Sequence, residues 1–344
     1  MIRIGLIGAG SMGTTHARAL QSSVPGAQIT ALSDAVSESA ERLAREVGAQ
    51  TVHADALAVI HDAGVDAVVI ASPADTHEQF VLACLDAGKP VLCEKPLALT
   101  PEAARRVLGA EAALGRRLVQ VGFMRRFDPG YAQLKAELDR GEAGAPVIVY
   151  STHRNPSVRP GFGSELIIKD TVVHDVDTVR WLLDQELVKA TVFTPRPTSK
   201  ARADVQDPMI VLFDTDQGTL VHVEAFVNAQ YGYDIRCEIV GESSTLTLAP
   251  PASIRLHRDG RATVPVPMRF QDRFASAYVH ELQGWVASIA DSTPAGASAW
   301  DGYAAAAVCE ATWRSLTTGR PTVVGLDHKP GLYATSGRAL AHST

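Results

Sequence analysis

At 344 residues, with 46% hydrophobic and 20% charged side chains, the chain exceeds what one hydrophobic core usually organises and reads as two globular domains. A net charge of −6 with no basic cluster interleaved with aromatics excludes a nucleic-acid surface, and no apolar run reaches the roughly 20 residues of a membrane span. Cys84, Cys93, Cys237 and Cys309 are too scattered for a zinc pattern or a disulfide framework, and the first residues enter a glycine turn at once, so a reducing cytoplasm is the expected home.

The opening apolar run Ile2–Ile7 leads into Gly8-Ala9-Gly10-Ser11-Met12-Gly13, then a helical stretch from Thr14, then a second apolar run ending at Asp34. Gly8 permits a tight turn, Gly10 lets the backbone approach a pyrophosphate, and Gly13 allows a strand and a helix to pack closely. The N–H groups at the helix start, Ser11 and Met12 among them, face the phosphates, and Asp34 accepts from the adenine ribose hydroxyls. A carboxylate there repels a 2′-phosphate, so NAD is preferred over NADP. Further apolar runs at 67–71, 90–93 and 117–121 alternate with helical stretches at 37–47, 76–87 and 101–114, the pattern of a doubly wound parallel sheet. Ligands sit beyond the carboxyl ends of such strands, which singles out Ser72-Pro73, Glu94-Lys95-Pro96 and Gly122 to Arg126.

Beyond residue 145 the texture becomes β-rich, with strands expected at 147–153, 187–194, 208–214, 218–227, 233–241 and 244–248 in a large open, mainly antiparallel sheet. A helix at 169–183 interrupts it, helices at 273–290 and 300–317 follow, and the tail after Asp327 reads as extended or mobile. The domain division is 1–122 and 123–344, with the C-terminal tail returning to the first domain. The alternating sheet has a second face suited to another subunit.

Three groups carry chemistry. Lys95 follows a strand end, where Pro96 disfavours a helix and leaves the side chain aimed. Asp170 and His174, four apart, share one face of the interrupting helix, with Asp177 continuing the stripe. An imidazole suits proton abstraction near neutral pH, Asp170 would orient it, and Lys95 would polarise a hydroxyl. His153, Asn155 and Tyr233 stand at strand ends where several polar groups would meet a polyhydroxylated ligand. A metal set of His153, Asp170, His174 and Asp177 has no supporting Cys/His spacing, and no metal is expected.

The ordered set G-A-G-S-M-G at 8–13, Asp34, A-S-P at 71–73 with Thr76-His77, E-K-P at 94–96, G-F-M-R-R-F-D at 122–128 and D-x-x-x-H at 170–174 resembles the Gfo/Idh/MocA oxidoreductases over nearly the whole chain. Val121–Tyr131, His153-Arg154-Asn155-Pro156 and Tyr231-Gly232-Tyr233-Asp234 resemble its myo-inositol 2-dehydrogenase branch. The resemblance implies an N-terminal Rossmann domain, a C-terminal α/β domain with an open sheet, and a homo-oligomer, a tetramer in particular. It carries catalytic roles onto Lys95, Asp170 and His174. Cofactor contacts fall on Gly8, Gly10, Ser11, Met12, Gly13, Asp34, Ser72, Pro73, His77, Glu94, Lys95 and Met124, with Arg125 and Arg126 less firmly implied. Substrate contacts fall on Lys95, Met124, His153, Asn155, Asp170, His174, Asp177 and Tyr233. The implied reaction is NAD-dependent oxidation of a cyclic polyol, myo-inositol to its 2-ketone. Other inositols or a pyranose sugar, an NADPH-dependent sugar reductase and a non-catalytic NAD-sensing regulator are the alternatives.

Overall fold

The computed structural model describes residues 1–202, 204–250 and 254–334, so residues 335–344 of the tail expected to be mobile lie outside the described residues. The first half is a parallel sheet of β1 (Ile2–Ile7), β2 (Ala27–Ser33), β3 (Thr51–Val52), β4 (Ala67–Ile70), β5 (Val91–Glu94) and β6 (Val119–Gly122) in the order β3-β2-β1-β4-β5-β6. Helices α1 (Ser11–Ser23), α2 (Ser37–Val47), α3 (Ala56–His61), α4 (His77–Asp86) and α5 (Pro101–Leu114) connect the strands. Every residue of β4, β5 and β6 is buried, as strands covered on both faces require. The strand order reverses between β1 and β4, which opens a crevice above their carboxyl ends. Elements β3 and α3 carry too few residues to show a period in the sequence; α3 is set instead by its cap, where the Asp55 carboxylate accepts from the Leu57 N–H.

The second half starts with α6 (Pro129–Asp139), entered through the Asp128 cap and Pro129. Strand β7 (Pro146–Arg154) follows, then α7 (Ser164–Leu166), a π-helical segment (Ile167–Val172) and α8 (Val173–Leu183). Next come β8 (Leu187–Phe193), β9 (Met209–Thr215), β10 (Leu220–Phe226), β11 (Asp234–Gly241), β12 (Thr245–Thr247) and an exposed hairpin of β13 (Leu256–Arg258) and β14 (Arg261–Thr263). Helices α9 (Phe270–Arg273), α10 (Ala275–Ala290) and α11 (Ala299–Thr318) lead to β15 (Thr322–Val323). The open sheet runs β12-β11-β7-β10-β9-β8-β15. Its pairings are antiparallel except β7 with β10, a parallel pair made possible by the long helical crossover between them.

Along β10, Val221, Val223 and Ala225 are fully buried while Leu220 on the other face is exposed. The two halves share packing. Leu282, Trp285 and Val286 of α10 lie in one apolar cluster with Leu6, Ala17 and Leu20. Arg105 of α5 donates to Asp327, and the Tyr333 hydroxyl donates to buried Glu111 at 2.5 Å. Among the described residues no helix is long and apolar enough to cross a membrane.

Candidate active site

A cleft of about 1130 Å³ runs from the glycine turn to the start of α8. That is larger than the ~300–1,000 Å³ of a single small-ligand pocket and leaves room for a cofactor and a substrate together. Gly8 has φ +100°, and a Cβ there would lie 2.5 Å from the Ala71 carbonyl oxygen. A Cβ on Gly13 would lie 1.9 Å from the Gly8 carbonyl oxygen, so only glycine lets α1 seat on the turn. At Gly10 a Cβ would meet nothing within 4 Å, which leaves the backbone beside the cleft bare. Asp34 is fixed by the backbone N–H groups of Ala9 (2.6 Å) and Val36 (2.7 Å). Gly8, Gly10, Ser11, Met12, Asp34, Ser72, Pro73, Glu94, Lys95 and Met124 line the cleft. Bare backbone at a helix start, with a carboxylate at the second strand's end, fits an NAD adenosine and diphosphate.

The structure does not bring His77 to this wall. Its buried ring lies beneath, with nitrogens 2.7 Å from the Pro96 carbonyl oxygen and 3.0 Å from that of Ser72, tying the turn after β4 to the segment bearing Lys95. Buried His16 of α1 stands 2.6 Å from a Glu94 carboxylate oxygen, and the other Glu94 oxygen accepts from the Lys95 N–H. No sequence signal marked His16, because a histidine on a helix face reads as core.

At the far end Lys95, Met124, His153, Asn155, Asp170, His174 and Tyr233 all line the cleft. Lys95 forms an ion pair with Asp170 and also donates to its backbone carbonyl at 2.9 Å. Asp170 therefore engages the ammonium, and no hydrogen bond joins it to His174. Asp170 sits in the π-helical segment and His174 in α8, so the regular α-helical i, i+4 spacing expected of the pair does not apply, although both line the cleft. His174 Nδ1 is buried without a partner. Burial, then the positive charges of Lys95 and Arg125, push the His174 imidazolium well below the usual histidine range, so the ring is neutral and competent to accept a proton.

Behind these groups lies a buried polar network. Arg125 donates to Asp175 at 2.7 Å, Ser151 donates to the same oxygen at 2.7 Å, and His153 Nδ1 is 3.0 Å from the second oxygen. Against the cost of burial, Arg125 and His153 hold the Asp175 carboxyl well below the usual carboxylate range. Burial also lowers His153, whose Nδ1 lies between an Arg125 guanidinium nitrogen at 2.9 Å and Asp175 at 3.0 Å while its Nε2 stands 3.4 Å from the Tyr233 hydroxyl. Asn155 keeps a buried, unpartnered Oδ1. Asp177 is not in the cleft. Arg126 grips it with both guanidinium arms (2.9 and 2.6 Å) and reaches Asp301 at 3.1 Å, joining the turn after β6 to α8 and α11.

A dinucleotide crevice whose far end offers an ammonium and a neutral imidazole to one small cavity is the equipment of an NAD-dependent oxidoreductase acting on CH–OH groups. The chain belongs to the Gfo/Idh/MocA oxidoreductases. The family model described as an oxidoreductase family with an NAD-binding Rossmann fold matches residues 2–123, and that of the family's C-terminal domain matches 131–247. The chain is 49% identical to inositol 2-dehydrogenase 2 of Saccharopolyspora erythraea, over 97% of this chain and 98% of the relative. Among solved structures it resembles myo-inositol dehydrogenase from Lactobacillus casei in complex with NAD(H) and myo-inositol, with TM-score 0.94, 35% identity and coverage of 97% and 100%. It also resembles the scyllo-inositol dehydrogenase of that organism with NAD(H) and scyllo-inositol, with TM-score 0.87, 26% identity and coverage of 94% and 99%.

Proposed function

We propose that the chain oxidises a secondary hydroxyl of a cyclic polyol, myo-inositol to its 2-ketone, with residues 1–122 holding NAD and residues 123–344 supplying the substrate wall. The single observation that carries the reading is that Lys95, brought by the first half, and His174, brought by the second, line the same cleft as the glycine turn. When bound, NAD supplies the hydride acceptor for the carbinol carbon. Neutral His174 takes the hydroxyl proton as the carbon–oxygen bond becomes a carbonyl, and Lys95 hydrogen-bonds that oxygen and stabilises charge developing on it. Asp170 is a positioning residue that aims the ammonium. His153, Asn155 and Tyr233 receive the remaining hydroxyls; the unpartnered Asn155 Oδ1 supports this assignment, because a buried acceptor without a donor is costly. The half-exposed outer face of the open sheet, with Tyr150 and Leu220, supports a homo-oligomer built sheet to sheet.

The test follows NADH formation with myo-, scyllo- and D-chiro-inositol and glucose, each with NAD and with NADP. The expected outcome is turnover of myo-inositol with NAD, at a kcat/KM above that of every other pairing. Preference for glucose or for NADP would overturn the assignment.

A further inference from the structure

The cleft carries several carboxylates along its length, while the dinucleotide it holds is itself anionic. Asp34, Asp55, Asp75, Glu94 and Asp170 all line it, and the diphosphate of a dinucleotide brings further negative charge. The helix that meets the diphosphate, α1, has no basic residue in either end turn and offers only its partial positive pole. Two cationic side chains line the cleft, Lys95 and Arg159. Lys95 is engaged by Asp170, whereas Arg159 is exposed and makes no ion pair or side-chain hydrogen bond with any described residue.

The backbone that carries Arg159 is nonetheless anchored. It lies in the segment between β7 and α7, which is anchored at one end by the Asn155 backbone, bonded to Phe226 and Ala229, and at the other by Phe162, which is buried in the core. The Phe162 N–H donates to the Arg159 carbonyl at 3.3 Å, and Val158 and Phe162 line the cleft on either side of it. A solvated surface arginine needs neither apolar anchor. A planar guanidinium fork matches two phosphate oxygens at once, which suits arginine better than lysine to this task.

We propose that Arg159 reaches from the substrate half of the chain onto the diphosphate of the bound dinucleotide and supplies the cationic side chain that the glycine turn lacks. The inference rests on NAD occupying the cleft, and its test needs no turnover, so it stands apart from the identity of the polyol. NADH affinity is measured by the fluorescence of the bound nucleotide across a salt series, for the wild type, Arg159→Gln, Arg159→Lys and, as a control for surface charge, Arg320→Gln. Adenosine and ADP-ribose are then used as competitors. Arg159→Gln should weaken NADH and ADP-ribose about tenfold, the scale of one partly solvated charge-assisted hydrogen bond, and flatten the salt dependence. Arg159→Lys should restore part of both effects, Arg320→Gln should match the wild type, and adenosine should compete equally against every variant. Unchanged NADH affinity and salt slope in Arg159→Gln would overturn the proposal, as would an equal loss for adenosine and ADP-ribose, which would move the contact away from the phosphates. If the wild type bound no NADH at all, the failure would lie with the cofactor reading instead.

Discussion

The two walls of the cleft are built by different means. The cofactor wall is mostly backbone and small residues delivered by turns after parallel strands, Gly8, Gly10, Ser72 and Pro73 among them, and its shape depends on what side chains would obstruct. The substrate wall is made mostly of polar and titratable side chains, and its shape depends on Arg125, Ser151 and Asp175 holding one another in a buried network. The first wall tolerates change only where no Cβ intrudes. The second tolerates change only where no buried charge loses its partner.

The largest effect separates chemistry from binding. Lys95→Ala should lower kcat by roughly 10²-fold or more, the scale of a positioned electrostatic group, while NADH affinity stays within a few-fold because the glycine turn is untouched. Steady-state rates at saturating NAD and myo-inositol check the first half, and nucleotide fluorescence checks the second. A kcat within a few-fold of wild type would remove Lys95 from the chemistry.

Asp175→Asn comes next and tests whether the substrate wall is held from behind. It leaves the fully buried Arg125 guanidinium without its counter-charge, a loss of about 3–5 kcal/mol for a broken buried pair. Thermal unfolding should show a clear fall in Tm. A Tm equal to that of wild type would mean that the network is dispensable to this wall.

The smallest effect is a pH slope. The folded protein holds His174 below its unfolded value of about 6.5, so above that pH neither state carries the proton and the contribution is complete. As pH falls through about 6.5, the unfolded imidazole takes a proton that the folded one refuses, and stability drops towards the folded pKa. Tm plotted against pH should therefore fall on the acid side, less steeply in His174→Gln. Equal slopes would show that His174 is not held neutral, although buried His153, also lowered, keeps part of the slope in both proteins.

These contrasts also explain what the sequence disclosed. The glycine turn, Asp34 and the five longer strands of the first sheet are local patterns, and they stand where the apolar runs and turn residues put them. The alternation in β7, β9, β10 and β11 likewise marked the open sheet. The network behind the substrate wall was not legible, because Arg125, Ser151 and Asp175 come from three separate elements and no spacing links them. Asp175 adjoins His174, yet adjacent helix positions point apart, so the stripe argument selected Asp177, which instead belongs to the Arg126 and Asp301 network. The assignment of Asp170 to the imidazole presumed a regular α-helix, and a π-helical segment carries no reliable mark in the residues.

The packing of Leu282, Trp285 and Val286 against Leu6, Ala17 and Leu20 sets an order on biosynthesis. The nucleotide-holding sheet is translated well before α10, so part of its apolar cover emerges only after most of the second half. A nascent chain thus carries that greasy surface bare until α10 has emerged, and a premature stop codon before residue 282 would release a polypeptide with the surface still open, a target for chaperones and proteases.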